Sequence, residues 1–185
     1  MEGAIIRGIS ASEASGLRQA AEILVAEFRQ VSPHAWPTQA RAREEVLECL
    51  NPEWIVRAAF LGDAMLGWAG ARPAYGHVTW ELHPMAVRAG FQKKGIGTAL
   101  LKALGEEVKR RGGQNMYLGT DDETGRTNLS GLDLYASIPD AIAGIRNTGR
   151  HPYEFYLRNG YAVVGLIPDA NGPGKPDILM AKRLI

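Results

Sequence analysis

The sequence predicts an α/β fold, a mixed β-sheet sandwiched with helices in a single domain spanning residues 1–185. Two observations carry that expectation. Apolar runs of strand length alternate with stripes at helical spacing in the order β-α-α-β-β-β-α-β-α-β-β, and a long helix follows the third antiparallel strand rather than a hairpin. The chain has 185 residues, 45% of them apolar and 22% charged, which suits one compact core rather than a disordered or fibrous chain.

Ala4 to Ile9 reads as a short strand, and Ser10 with Glu13 forms a capping-box pattern that starts a helix. Leu17, Ala20, Ala21, Leu24, Val25 and Phe28 then give that helix one apolar stripe. A two-proline loop, Ser32 to Pro37, precedes a helix capped by Thr38 and running to about Leu50. Trp54–Leu61 and Ala64–Ala71, joined by Gly62-Asp63, read as a hairpin, and Val78–Val87 as a further strand. Ile96, Ala99, Leu100, Ala103, Leu104 and Val108 fit one helical face, closed by Lys109-Arg110-Arg111-Gly112-Gly113. Asn115–Gly119 reads as a strand, Tyr153–Asn159 as a helix, and Tyr161–Ile167 and Asp177–Arg183 as the closing strands.

A formal charge of +1 leaves no broad electrostatic footprint for nucleic acid or anionic lipid. No apolar stretch approaches the roughly 20 residues of a membrane span, and Met1-Glu2-Gly3 lacks the flank and apolar run of a signal peptide. Cys49 is the single cysteine, so no intrachain disulfide forms and a reducing compartment, the cytoplasm, is expected.

Gln92-Lys93-Lys94-Gly95-Ile96-Gly97-Thr98 joins a strand to a helix, a junction where unpaired backbone N–H groups and the helix dipole meet an anion. Glycines at 95 and 97 allow close approach, and Lys93 and Lys94 add mobile positive charge. A dinucleotide fingerprint would need a third glycine where Leu100 stands, and a Walker loop would need Gly-Lys-Ser/Thr.

Gln92-Lys93-Lys94-Gly95-Ile96-Gly97 resembles the Gln/Arg-x-x-Gly-x-Gly/Ala signature of the GNAT family of N-acetyltransferases, and Phe155-Tyr156-Leu157-Arg158-Asn159-Gly160-Tyr161 resembles its Phe-Tyr-x-x-x-Gly-Phe segment. The resemblance implies a GNAT-like fold, acetyl-CoA as cosubstrate, and no metal. It implies that the turn holds the diphosphate, that Met85, Ala86 and Val87 lie against the pantetheine arm and acetyl group, and that the Tyr156 hydroxyl faces the departing sulfur. A neutral phenol near pKa 10 suits a proton donor to a thiolate; core packing is the competing role for Tyr156.

An ammonium has no lone pair, so amine transfer needs a base or a water relay. Alternation places Glu81, His83, Met85 and Val87 on one strand face, unless Pro84 bulges the strand. Glu81, where some GNAT members keep a glutamate, is the first choice for the base, against a strand-surface ion pair; His83 lines the acceptor or serves as a structural histidine.

Residues 121–151 form an insertion where the family usually has a brief loop. It opens on Asp121-Asp122-Glu123, acids that would draw a cationic acceptor, and Asp169 adds a carboxylate on a Gly/Pro-rich loop. Trp36 and Trp80 are candidate walls for a sugar ring or else core residues. Leu118 to Glu123, His151 to Tyr156 and Pro168 to Gly172 resemble the aminoglycoside N-acetyltransferase branch. That resemblance implies acetylation of a 6′ or 2′ amino group and antibiotic inactivation, with Asp121 or Asp122 binding or deprotonating the amine. Acetylation of a protein, peptide or other small amine is the rival activity, and a CoA-binding module without turnover the non-enzymatic one. A small-molecule amine is the expected partner, and free sheet edges in such folds leave room for a homodimer.

Overall fold

The computed structural model describes residues 3–185. The reading of Met1-Glu2 as lacking a signal flank falls outside that range. Among the described residues the chain forms seven strands and five α-helices, and the α/β fold with a mixed sheet is the fold expected from the sequence. It divides into two compact units, one running to Met116 and including Leu184–Ile185, the other Tyr117–Arg183. Among the described residues no helix is long and apolar enough to cross a membrane.

In the first unit, β1 (Ile5–Arg7), β2 (Ile55–Leu61), β3 (Ala64–Ala74) and β4 (Thr79–Val87) pair in that order, all antiparallel. Helices α1 (Ala14–Phe28) and α2 (Gln39–Cys49) precede the hairpin, and α3 (Ile96–Arg110) follows β4. Residues 65–71 of β3 are all buried, the pattern of a strand covered on both faces. Leu17, Ala20 and Leu24 of α1 and Val46 of α2 pack with Ala58, Phe60, Met65 and Trp68. The buried Trp68 indole satisfies its N–H on the Ala20 carbonyl at 3.1 Å. Helix α3 buries Leu100, Leu104 and Val108, three of the residues of its apolar stripe.

Thr38 caps α2 as expected, its hydroxyl accepting from the Arg41 N–H at 3.3 Å. The capping box at Ser10 and Glu13 does not form. Helix α1 starts at Ala14, past Ser10, and has no side-chain cap; the Ser10 hydroxyl pairs with that of Ser12 at 2.9 Å, while the Glu13 carboxylate pairs with the Arg7 guanidinium and also bonds the Ser10 backbone.

In the second unit, β5 (Asn115–Asp121), which begins in the first, is followed by the insertion, α5 (Tyr153–Arg158), β6 (Ala162–Ile167) and β7 (Asp177–Arg183). The strand order is β5-β7-β6, with β6 and β7 antiparallel. The insertion contains α4 (Ile138–Ala143), a helix that the sequence pattern did not reveal because it is only six residues long.

Candidate active site

Strand β4 carries the residues expected beside the acetyl group, and its register decides where each points. Ala71 pairs with Leu82 and Ala69 with Met85, so β4 advances three residues while β3 advances two. The extra residue bulges β4 at His83-Pro84, opposite Gly70, where a Cβ would lie 2.5 Å from the His83 carbonyl oxygen. Cross-strand partners share a face, so the bulge turns the second half of β4 over. Glu81, paired with Arg72, lies on one face; Met85 and Val87 lie on the other with Ala69 and Gly67. The expectation of one shared face for Glu81, His83, Met85 and Val87 fails at this bulge.

Glu81 is half-buried, and its Oε2 accepts from Arg72 Nε at 2.7 Å. Arg72 in turn lies 5.5 Å from the Trp54 ring centre. His83 reaches α2, where its Nε2 lies 3.3 Å from Glu45 Oε1. The Trp36 indole donates to Glu45 Oε2 at 3.2 Å, and its ring sits 6.0 Å from that of His83 and edge-on to Phe28 at 4.6 Å. The bond from His83 holds the Glu45 carboxyl below the usual carboxylate range, against the desolvation that would raise it. The structure thus gathers Trp36 and His83 around Glu45, a residue that sequence reasoning missed. No local signal marks it, since it is one of several glutamates on an exposed-looking helix.

Trp80 does not join them. It is buried to 2%, its N–H held by the His77 carbonyl at 2.9 Å and its ring 5.7 Å beneath the Arg111 guanidinium. It is a core residue rather than a wall for a sugar.

The glycine turn leads into α3 with Gly95 as the N-terminal cap at φ 84°, a left-handed conformation that a Cβ would strain. No side chain caps the helix, and the first backbone bond of α3 runs from Ala99 N–H to Gly95 C=O at 3.0 Å. The amides of Ile96, Gly97 and Thr98 therefore precede the intrahelical ladder. The Ile96 side chain is buried, so only its amide faces the turn, whereas Lys93, Gly95 and Thr98 are exposed. Lys94 is exposed too, but its ammonium donates to the Gly90 carbonyl at 2.9 Å.

Gln92 shapes this turn rather than reaching outward. Its amide donates to the Val87 carbonyl at 2.9 Å and to Glu27 Oε2 at 3.0 Å, while Glu27 Oε1 accepts from the Ala89 N–H at 2.9 Å. Glu27, near the end of α1, is a second residue that the sequence did not flag. Ala86, expected against the pantetheine, buries its methyl in the core with Trp68, its partner across the β3–β4 pair.

The second unit holds the acids and the tyrosine. Asp121 is half-buried, and its Oδ1 accepts from Asn171 Nδ2 at 2.5 Å. Asp122 is wholly buried and accepts from Arg126 N–H at 2.6 Å, Thr127 N–H at 2.8 Å and Thr127 Oγ1 at 2.7 Å. Its carboxylate fixes the first turn of the insertion, which corrects the expectation that it meets an acceptor. Glu123 is half-buried. Asp169 is exposed and closes its own loop, its Oδ1 accepting from Gly174 N–H at 2.6 Å.

Tyr156, on α5, is half-buried, with its ring edge-on to Phe155 at 5.1 Å and Tyr161 at 5.7 Å. Desolvation pushes its phenol well above the usual value, so the hydroxyl keeps its proton at neutral pH. Among the described residues no group of three or more His, Cys, Asp or Glu is placed to hold a metal ion.

A sequence model of the Acetyltransferase (GNAT) family matches residues 17–137, well over half of the chain. The chain belongs to the GNAT family. A search of curated proteins finds no match. Among solved structures, this GNAT chain is 43% identical to an aminoglycoside 6′-N-acetyltransferase complexed with coenzyme A, with TM-score 0.90 over 98% of this chain and 97% of that one. It is also 43% identical to the aminoglycoside 6′-N-acetyltransferase from Enterococcus faecium, with TM-score 0.88 and the same coverage. An aminoglycoside 6′-acetyltransferase type Ii is 36% identical, with TM-score 0.73 over 98% and 97% of the two chains.

The chain is an acetyl-CoA-dependent acetyltransferase, and the turn fits that cosubstrate. A diphosphate needs several converging N–H donors, a positive dipole end and no competing cap. The uncapped start of α3, with Lys93 exposed beside it, supplies all three.

Proposed function

We propose that this GNAT enzyme acetylates the 6′ amino group of an aminoglycoside, and that antibiotic inactivation is the result. The whole-chain similarity to aminoglycoside 6′-N-acetyltransferases carries this reading. The acids of the second unit and the aromatic-rich cluster around Glu45 support it, because polycationic sugars are recognised by carboxylates and aromatic faces.

When bound, acetyl-CoA supplies an acetyl group activated as a thioester. The amides of Ile96, Gly97 and Thr98, with Lys93, hold its diphosphate, and the backbone of Met85 to Val87 lies along the pantetheine arm. Glu81 accepts a proton from the acceptor ammonium, directly or through water, so that the nitrogen lone pair can attack the acetyl carbon. Arg72 fixes the orientation of the Glu81 carboxylate for that transfer. Asp121, anchored by Asn171, attracts the acceptor's ammonium groups and is the second candidate for the base. Tyr156 donates its hydroxyl hydrogen to the sulfur as the carbon–sulfur bond breaks, and the proton that the acylated nitrogen sheds as the amide forms restores the phenol. Its raised pKa suits hydrogen-bond donation better than a full early proton transfer.

The test measures thiol release with paired aminoglycosides that differ only in a 6′ amine or a 6′ hydroxyl. Turnover is expected with the amine alone, and Tyr156→Phe is expected to lower kcat about a hundredfold, in the range of general acid catalysis. Equal turnover of both partners would sink the 6′ assignment, and an unchanged kcat in Tyr156→Phe would remove the acid.

A further inference from the structure

The geometry points to His151 as a positioning residue that holds the end of β5 and the first turn of α5 in one hydrogen-bonded frame, and that does so only as the neutral imidazole protonated on Nε2. It deepens, and rests on, the reading that Asp121 and Tyr156 serve the reaction.

His151 is buried to 2%. Its Nδ1 accepts from the Tyr153 N–H at 3.2 Å, at the start of the helix that bears Tyr156. Its Nε2 lies 3.0 Å from the backbone carbonyl of Asp121. A carbonyl can only accept, so Nε2 carries the hydrogen; an amide N–H can only donate, so Nδ1 keeps its lone pair. The two partners together leave one tautomer and no place for a second proton.

The surroundings keep the ring in place and neutral. Asn147 grips the His151 backbone twice at 2.8 Å, its Oδ1 accepting from the N–H and its Nδ2 donating to the C=O. The Tyr153 ring lies against the imidazole at 5.8 Å. The charged groups facing it are Asp121 at the end of β5, and Asp122 and Arg126 from the insertion that follows. Desolvation is the largest influence and drives the pKa down, helped by Arg126 and opposed by the Asp121 carbonyl bond and the two aspartates. A proton added at Nδ1 would face the Tyr153 N–H, donor against donor, and release α5 from β5. The acid limb of turnover then reports this frame rather than the chemical base.

The test is a long-range proton–nitrogen correlation spectrum of the four histidines, with His151 assigned by its loss in His151→Gln. The His151 ring is expected as the pure Nε2–H form at neutral pH, keeping that pattern below the ordinary imidazole pKa of about 6.5. When it protonates, the Tyr153 amide should shift with the same midpoint. His151→Ala should lower kcat about tenfold, the rate equivalent of one hydrogen bond. His151→Gln, which carries one donor and one acceptor, should recover part of that loss while removing the acid limb of the kcat profile.

An Nδ1–H tautomer, an ordinary titration with no matching change at Tyr153, or an unaltered acid limb in His151→Gln would overturn the proposal. The spectrum is taken on the unmodified protein, so it decides the matter even where His151→Ala does not fold. Failure of Tyr156→Phe to affect turnover would sink the assigned acid while leaving the tautomer result standing, so the two readings fail separately.

Discussion

Asp122→Ala separates a structural acid from an acceptor-binding one. The carboxylate takes three hydrogen bonds at 2.6–2.8 Å in a fully buried setting. Bonds to a charged acceptor contribute about 1.5–3 kcal/mol each, and water entering the vacated space restores part of the loss, so a net cost of about 4 kcal/mol is expected. Arg126 adds to it, because its half-buried guanidinium, whose charge desolvation already disfavours, loses the opposing charge of Asp122. For a chain of this length about 1 kcal/mol moves the melting midpoint by roughly 2–4 °C, which places the drop at about 8–16 °C. The assay is thermal unfolding followed by circular dichroism, with amide exchange read at Arg126 and Thr127. Both amides should lose protection, and Asp122→Asn should lie between the parent and Asp122→Ala because its NH₂ opposes one of the donors. A melting midpoint within about 2 °C of the parent, together with a raised KM for the aminoglycoside, would refute the structural role and return Asp122 to the acceptor site.

Two further outcomes follow from the first unit. Gly95→Ala places a Cβ in open space but at φ 84°, so strain of about 1–2 kcal/mol falls on the turn itself; calorimetry should show coenzyme A binding about tenfold weaker, and unchanged affinity would remove the turn from the diphosphate site. Hydrogen bonding from Arg110, assisted by Arg111 and Arg57, draws the Glu107 carboxyl down to about 2. That depressed value makes its stabilisation present above the unfolded pKa of about 4.5. It is lost as pH falls from there toward 2. Glu107→Gln should therefore melt below the parent at pH 7, with the gap narrowing across that acid window; a gap independent of pH would show that packing, not charge, is what Glu107 contributes.

The parts of the molecule that were legible in the sequence are those set by neighbours in the chain. The stripe of α3, the cap at Thr38 and the glycine turn each depend on residues within a few positions, and each is where the pattern placed it. The capping box at Ser10 and Glu13 was equally local, yet the Ser10 hydroxyl turns to Ser12, the helix starts only at Ala14, and Glu13 serves Arg7 as well as the Ser10 backbone. What was hidden depends on distant partners. The bulge of β4 exists because Gly70 on another strand admits the His83 carbonyl, and Glu27 and Glu45 act through groups tens of residues away.

The acids at the head of the insertion show how far local reasoning could have gone. Asp121, Asp122 and Glu123 read as one negative patch, but β5 runs to Asp121, and successive side chains on a strand point to opposite sides. The structure resolves which one turns inward: Asp122, because Arg126 and Thr127 supply donors from the loop that follows. The acid that stays half-buried at the strand end, and that we propose meets the acceptor, is the one whose backbone carbonyl His151 holds. Asp121 is thus placed by its main chain and by Asn171, while its neighbour anchors the loop around it. The tandem of like charges at this strand end divides into a buried organiser and a half-buried neighbour, and burial costs assign the organiser to the carboxylate with the most nearby donors.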